Sequence, residues 1–212
     1  MEGEIPWPPD RLREYCIDCY TETIDRADED GRTLFCCFTC GSRNERRVVM
    51  DPAMKSWIDG DGVYWHESAG VFVRNPDGEF LFFRRTIFPV SAFTAPAGHV
   101  DTRETPERCA VRELREETGL KARRVEHIAS HYIAGDSCRR GSDHHLWHAY
   151  LWVLDSPVDV TLGDGDGDGD GDGEGEGAEW LTLEKAEAKD LTYPVRYIIS
   201  RHAADLRRNW TA

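Results

Sequence analysis

The sequence predicts an α/β fold, a mixed sheet with helices packed on it, preceded by a small cysteine-bearing module. Three observations carry that prediction: two apolar runs around an Asn-Pro-Asp-Gly turn, a helix with clear start and stop signals near the middle of the chain, and two C-x2-C pairs near the N-terminus. The 212 residues suffice for one ordinary domain and a small appendage. The expected divisions are 12–42 for the module, 43–62 for a connection and 63–210 for the main domain.

In the module, Cys16-Ile-Asp-Cys19 and Cys37-Phe-Thr-Cys40 are separated by 17 residues. Each pair lets one tight turn present two thiolates, and four thiolates suit a tetrahedral, structural Zn²⁺. Gly41 fits the turn after the second pair, while the adjacent Cys36 leaves the register open. The pattern resembles a zinc ribbon, a unit too small to fold on its own apolar core. Arg43, Arg46 and Arg47 follow in the connection, where a solvated role is expected over contact with phosphate or RNA.

The main domain opens with strands at Ala69–Val73 and Glu79–Phe83 on either side of the Asn75–Gly78 turn. Arg84 and Arg85 close the second strand and either face a substrate phosphate or pair with surface acids. A short strand, Phe93–Ala97, leads to the helix. Thr105 is its N-cap, Pro106 its first residue and Gly119 its left-handed stop, so the helix covers Pro106–Thr118. Strands follow at Val125–Ile133 and His144–Leu154. In the second of these, alternation sets His144 and His148 on one face and His145 with Trp147 on the other. These histidines are therefore expected at a sheet edge or a pocket wall, not in a second metal site. The run at 163–177, alternating Gly with Asp or Glu, is expected to be a flexible, self-repelling loop. Its letter match to a calcium loop (Asp168, Asp170, Asp172, Gly173, Glu179) lacks flanking helices and is treated as accidental. A strand at Glu179–Leu181, a short helix at Leu183–Lys189 and a closing helix at Tyr193–Asn209 complete the domain. Val195, Ile198, Ile199, His202 and Leu206 are expected on the closing helix's inner side.

The central helix carries Glu113, Glu116 and Glu117 at i, i+3 and i+4, which places three carboxylates on one face. Two such charges about 4 Å apart repel by about 1 kcal/mol in water and about 4 at an effective dielectric of 20. A divalent cation removes that cost, and carboxylate oxygen is the preferred ligand of Mg²⁺ and Mn²⁺. Arg108, Arg112 and Arg115 interleave with the glutamates, so composition alone also allows a salt-bridged surface helix. The surrounding pattern is more specific. Gly98, Glu104, Arg112, Glu113, Leu114, Glu116, Glu117, Gly119 and Leu120 fill every fixed position of the Nudix hydrolase signature, which this stretch closely resembles.

That resemblance implies an α/β/α sandwich over about residues 63–210 and hydrolysis of a diphosphate bond in a nucleoside diphosphate joined to another group. It implies Mg²⁺ or Mn²⁺ held by Glu113, Glu116 and Glu117 together with Gly98. It also implies an assisting role for Glu104, an orienting ion pair from Arg112, and Glu116 as the simplest candidate for a general base. Ala97 and Arg103 stand where many members have glycine, outside the defining positions. The ribbon resembles the one in NADH pyrophosphatases, but their SQPWPFPxS motif is absent, so ADP-ribose, NAD(H), dinucleoside polyphosphates and damaged nucleotides all stay open. Isopentenyl diphosphate isomerase shares the fold, yet its strand cysteine is replaced here by Thr94-Ala-Pro-Ala97, and Cys109 lies inside the helix. The reading from another class is a nucleotide-sensing regulator whose ribbon contacts nucleic acid or a protein. A net charge of −14 argues against binding nucleic acid through bulk charge.

Only Lys55, Lys121, Lys185 and Lys189 are lysines, and with the excess of carboxylate this resembles proteins of molar intracellular salt. No apolar run reaches the roughly 18 residues of a membrane span. The start MEGEIPWPPD lacks a signal's apolar core, so a cytoplasmic, reducing location is expected for the seven cysteines. The ribbon or the first strands could also make a homodimer.

Overall fold

The computed structural model describes residues 7–22, 24–162 and 175–208. In the N-terminal module, β1 (Arg13–Cys16) is followed by an antiparallel sheet of β2 (Ile24–Glu29), β3 (Arg32–Cys37) and β4 (Arg43–Asn44). β1 leaves that sheet and pairs instead with β5 (Arg47–Met50), Arg13 opposite Met50 and Cys16 opposite Arg47. All four β5 residues are buried.

Residues 43–62, expected as a connection, are thus built into both neighbours. β6 (Ser56–Ile58) pairs antiparallel with β7 (Tyr64–Arg74), and Tyr64 Oη donates to the Val49 carbonyl at 2.8 Å. The arginines expected in solvent are engaged as well. Arg46 donates to the carbonyls of Cys138 and Ser142 at 2.8 and 3.2 Å and pairs with Asp143 at 2.6 Å. Arg47, 8% exposed, pairs with Glu14 at 2.5 Å and lies 4.2 Å over the Phe35 ring. Arg43 pairs with Glu29. The physical reason is β5 itself: a fully buried strand needs partners for every backbone group. It finds them on β1 and on the loop before β12, where Arg47 N–H donates to Arg139 O and Val49 N–H to Arg140 O. Gly141 makes the contact feasible, since a Cβ there would stand 2.7 Å from the Arg47 carbonyl oxygen.

The main sheet adds β8 (Phe80–Arg85), β9 (Phe93–Thr94), β10 (Ala97–His99), β11 (Glu126–Ala134), β12 (His144–Val153) and β13 (Gly175–Leu181). Its order is β11-β12-β7-β8-β13, with β6 and β10 added to β7 and β9 to β8. β12 runs parallel to β7 and the other pairings are antiparallel, so the sheet is mixed as expected. Gly175, Glu176 and Gly177 differ from expectation. They belong to β13, because Gly175 and Glu176 pair with Arg85 and Arg84 along the edge of β8. The preceding residues 163–174, with most of the calcium-loop letters, lie outside the described residues.

Strand alternation sorts the core into two layers. Ala69, Val71, Val73 and Leu81 face Cys109, Ala110 and Leu114 of helix α1 (Pro106–Thr118). Phe72, Phe80 and Phe82 face α2 (Leu183–Glu187) and α3 (Tyr193–Arg207), where Val195, Ile198, Ile199 and Leu206 are buried. The result is an α/β/α sandwich. Arg74, buried at the end of β7, donates to the carbonyls of Leu206 at 2.8 Å and Arg208 at 3.1 Å. A guanidinium there satisfies the carbonyl end of α3. His202 leaves helical geometry inside α3 (φ −123°) and its ring meets His131 of β11, Nε2 to Nε2 at 2.8 Å, so it sits at the rim of the core.

Candidate active site

Helix α1 begins and ends where its capping residues dictate. The Thr105 hydroxyl accepts from Arg108 N–H, and Gly119 (φ 70°) sends its N–H back to Arg115 O. The helix packs against β7 and β10, which leaves its remaining face to Arg112, Glu113, Glu116 and Glu117.

Arg112 organises that face. Nη1 donates to Glu113 Oε1 at 2.6 Å and to Glu116 Oε2 at 3.1 Å. Nη2 donates to Glu104 Oε1 at 2.7 Å and to the His99 carbonyl at 3.2 Å. Asp101 N–H also donates to Glu104 at 3.0 Å, and Ala97 N–H donates to Glu117 Oε2 at 2.9 Å. Gly98, between Ala97 and His99, passes so close to Glu113 that a Cβ would overlap the carboxylate. The polar positions of the signature gather along one face of α1: Arg112 bridges Glu104, Glu113 and Glu116, Gly98 abuts Glu113, and Glu117 is held by Ala97 N–H, while Leu114 packs in the core.

Three carboxylates, Glu104, Glu113 and Glu116, thus gather about one guanidinium, and Arg115 reaches Glu116 at 3.6 Å. Burial pushes Glu104 up, but the Arg112 and Asp101 hydrogen bonds outweigh it and hold the carboxyl below its ordinary value. Burial works against the charge on Arg112, and its carboxylate partners more than restore it. The surplus of hard oxygen donors over positive charge fits Mg²⁺ or Mn²⁺. Cys109 lies buried beneath, its thiol pushed up by burial and then by Glu113, so it is an inert packing residue.

This face opens on a cavity of about 420 Å³, within the range of a small-molecule site. Gly98, Asp101, Arg112 and Glu113 line it, and Arg85 and Phe88 stand among its other walls. Arg84, the neighbour of Arg85, is absent from that wall; it is exposed, with its guanidinium 5.5 Å from the Phe93 ring centroid. Adjacent strand residues point to opposite faces, so the two arginines expected together are separated. Phe88 and Trp147 are aromatic side chains on the cavity wall. Trp65 instead stacks on Trp57 (6.0 Å) and meets Tyr132 edge-on (5.5 Å).

In the module, Cys16, Cys19, Cys37 and Cys40 converge with their sulfurs within 4.8 Å of one another. The two knuckles repeat each other: Tyr20 (φ 57°) and Gly41 (φ 75°) follow the second cysteine of each pair, and their N–H groups return to the carbonyls of Cys16 and Cys37. Backbone N–H donation from Cys40 leads the effects that draw the Cys37 thiol down to about 5. The four thiols fit a tetrahedral zinc, and Cys36 stands outside the group, which settles the register.

A model of the NUDIX domain matches residues 65–202, well over half of the chain. The chain belongs to the Nudix family. Among curated proteins it is similar to an RNA pyrophosphohydrolase of Cereibacter sphaeroides, 37% identical over 76 residues, 36% of this chain and 47% of that one. A protein of the same name from Aeromonas hydrophila is 40% identical over 73 residues, 34% of this chain and 39% of that one. The match thus spans less than half the length of these relatives. Among solved structures, the NUDIX domain of Shewanella oneidensis NrtR, complexed with ADP ribose, superposes with a TM-score of 0.54 at 15% identity, over 67% of this chain and 88% of that one. A MutT protein from Methanosarcina mazei does so at 0.53 and 20%, over 68% and 96%. At these identities the structural likeness speaks for the fold.

One group in the Nudix domain escaped sequence reasoning. His144, His145 and His148 do not act together. His148 binds Glu67 at 3.0 Å and Ser130 at 2.7 Å, and His144 lies against Trp65. His145 instead joins His66, His99 and Cys138, which come from three other parts of the chain. Only the opposite-face assignment of His145 pointed that way.

Proposed function

We propose that this Nudix protein is a Mg²⁺- or Mn²⁺-dependent pyrophosphohydrolase acting on a nucleoside diphosphate joined to another group, the class that includes ADP-ribose and NAD(H). The observation that carries the reading is the carboxylate set around Arg112, opening on a cavity that also presents Arg85 and an aromatic wall. Glu113, Glu116 and Glu117, with the Gly98 carbonyl, would hold the divalent ion. The ion would supply charge neutralisation at the phosphate oxygens and a more acidic water.

The remaining work falls to the chain. Arg112 fixes Glu113 and Glu116 in one orientation while Glu104 anchors its other edge. Glu116, whose side chain is 24% exposed, would take a proton from an attacking water. Arg85 faces the cavity as a phosphate partner, and Phe88 and Trp147 offer flat surfaces for a base. The names of the relatives and neighbours, RNA pyrophosphohydrolase and a domain complexed with ADP ribose, suggest substrates that all contain a diphosphate.

The regulatory alternative rested on Arg43, Arg46 and Arg47, and these are committed to internal partners. A reducing compartment is favoured by seven free thiols, four of them gathered in the ribbon. Among the described residues no helix is long and apolar enough to cross a membrane. The test is a product-resolved assay with Mg²⁺ on ADP-ribose, NADH, diadenosine polyphosphates, oxidised dNTPs and 5′-triphosphorylated RNA. Cleavage within a phosphate chain, abolished in Glu116→Gln, is the expected result.

A further inference from the structure

We propose that His66, His99, Cys138 and His145 form a second transition-metal site, a CysHis3 centre of the zinc class, with ligands distinct from those of the ribbon and of the α1 carboxylate face, and with His99, Cys138 and His145 on the wall of the same cavity. Each offers one ligand atom, and the four atoms lie within 4.8 Å of one another. The ligands come from β7, β10, the loop before β12, and β12. Sheet register brings them together: His145 is directly opposite His66 in the parallel pair, and His99 is opposite Ser68 on the other edge of β7.

The surroundings call for an ion. His66 is 0% and His145 2% exposed. The Nε2 atoms of His66 and His99 are buried with no hydrogen-bond partner. A buried polar atom without a partner is expensive, and this group of imidazoles carries these two. The three rings are 4.9 to 5.7 Å apart by centroid, and Cys138 Sγ is 3.5 Å from His66 Nδ1. Asp136 Oδ2 stands 3.1 Å from His145 Nδ1, close to that imidazole but without the geometry of a hydrogen bond.

Three nitrogens and a thiolate select zinc or a similar borderline ion over Mg²⁺. Tetrahedral zinc with Zn–N near 2.0–2.1 Å and Zn–S near 2.3 Å sets ligand atoms roughly 3.3–3.8 Å apart, so the present group would close by about 1 Å. Four protein ligands leave no open position, which makes the site a clamp and not a second reaction centre. It would fix His99, whose carbonyl holds Arg112, against the loop that seats Arg46 and β5.

Metal analysis of the full chain, zinc-loaded and then freed of loosely bound ion, tests the proposal. Two zinc ions per chain are expected, falling to one in Cys138→Ser and in His66→Gln. One zinc or none in the wild type, or two retained in Cys138→Ser, would overturn it. Should those variants fail to fold, alkylation of the wild type read peptide by peptide decides. Zinc loading should protect Cys138 several-fold, and equal labelling with and without zinc would refute the site.

Discussion

Gly98 and Glu113 occupy adjoining space so closely that no side chain fits at residue 98 without displacing the carboxylate. The Gly98→Ala variant should therefore fold with α1 intact yet misplace Glu113. A displacement of about 1 Å in such a constellation costs on the order of 10²-fold in rate. Steady-state kinetics alongside circular dichroism would show kcat/KM falling by about that factor with the helical signal unchanged.

The glutamates of α1 should differ in their response to metal. Glu117→Gln keeps volume and removes a ligand charge, so its activity loss should shrink as Mg²⁺ is raised. Glu116→Gln, which removes the base, should lose at least about 10²-fold at every Mg²⁺ concentration. Identical Mg²⁺ titrations for the two variants would show that these roles are misassigned.

Arg112 holds three carboxylates, Glu104, Glu113 and Glu116, together in the absence of a cation. Arg112→Gln should lower stability by about 2 kcal/mol in chelator, the scale of charged hydrogen bonds lost. Mg²⁺ should restore more stability to the variant than it adds to the wild type, because it relieves the repulsion that the guanidinium no longer relieves. Urea midpoints with and without Mg²⁺ read both effects.

Arg74 caps the C-terminal end of α3 and is not among the residues that line the cavity. Arg74→Met should cost about 2 kcal/mol through the lost hydrogen bonds and helix-end charge. Activity measured well below the melting temperature should stay within about twofold of wild type, a split that separates this residue from those around Arg112.

The His131–His202 contact predicts a pH dependence. Burial first, then the nearby charge of His202, lowers His131 below its ordinary value of 6.5. The unfolded chain therefore takes up this proton before the folded one as pH falls. The stability it contributes is present above about pH 6.5 and is lost below it, down through the folded value. His131→Gln should flatten the fall in urea midpoint as pH drops below about 6.5.

Much of this site was legible in the sequence because its signals are local. Thr105, Pro106 and Gly119 fix the ends of α1, and the i, i+3, i+4 spacing fixes which carboxylates share its face. The C-x2-C pairs announce their own turns. What was not legible depends on partners far along the chain. β5 reads as a polar connection because Arg46 and Arg47 dominate its start, yet their acceptors are Glu14 and the 138–143 loop. His66, His99, Cys138 and His145 have no metal-binding spacing at all; strand register and the loop before β12 assemble them. The separation of Arg84 from Arg85 was available from simple alternation, which places successive residues of β8 on opposite faces.

The claim that the Arg112-centred face is a diphosphate-cleaving centre is tested most directly by turnover of the nucleotide panel, comparing wild type with Glu116→Gln/Glu117→Gln. The account predicts Mg²⁺-dependent cleavage of at least one substrate between phosphorus atoms, reduced by at least about 10³-fold in the double variant. No turnover of any member by folded, metal-loaded protein, or undiminished turnover by the double variant, would contradict it.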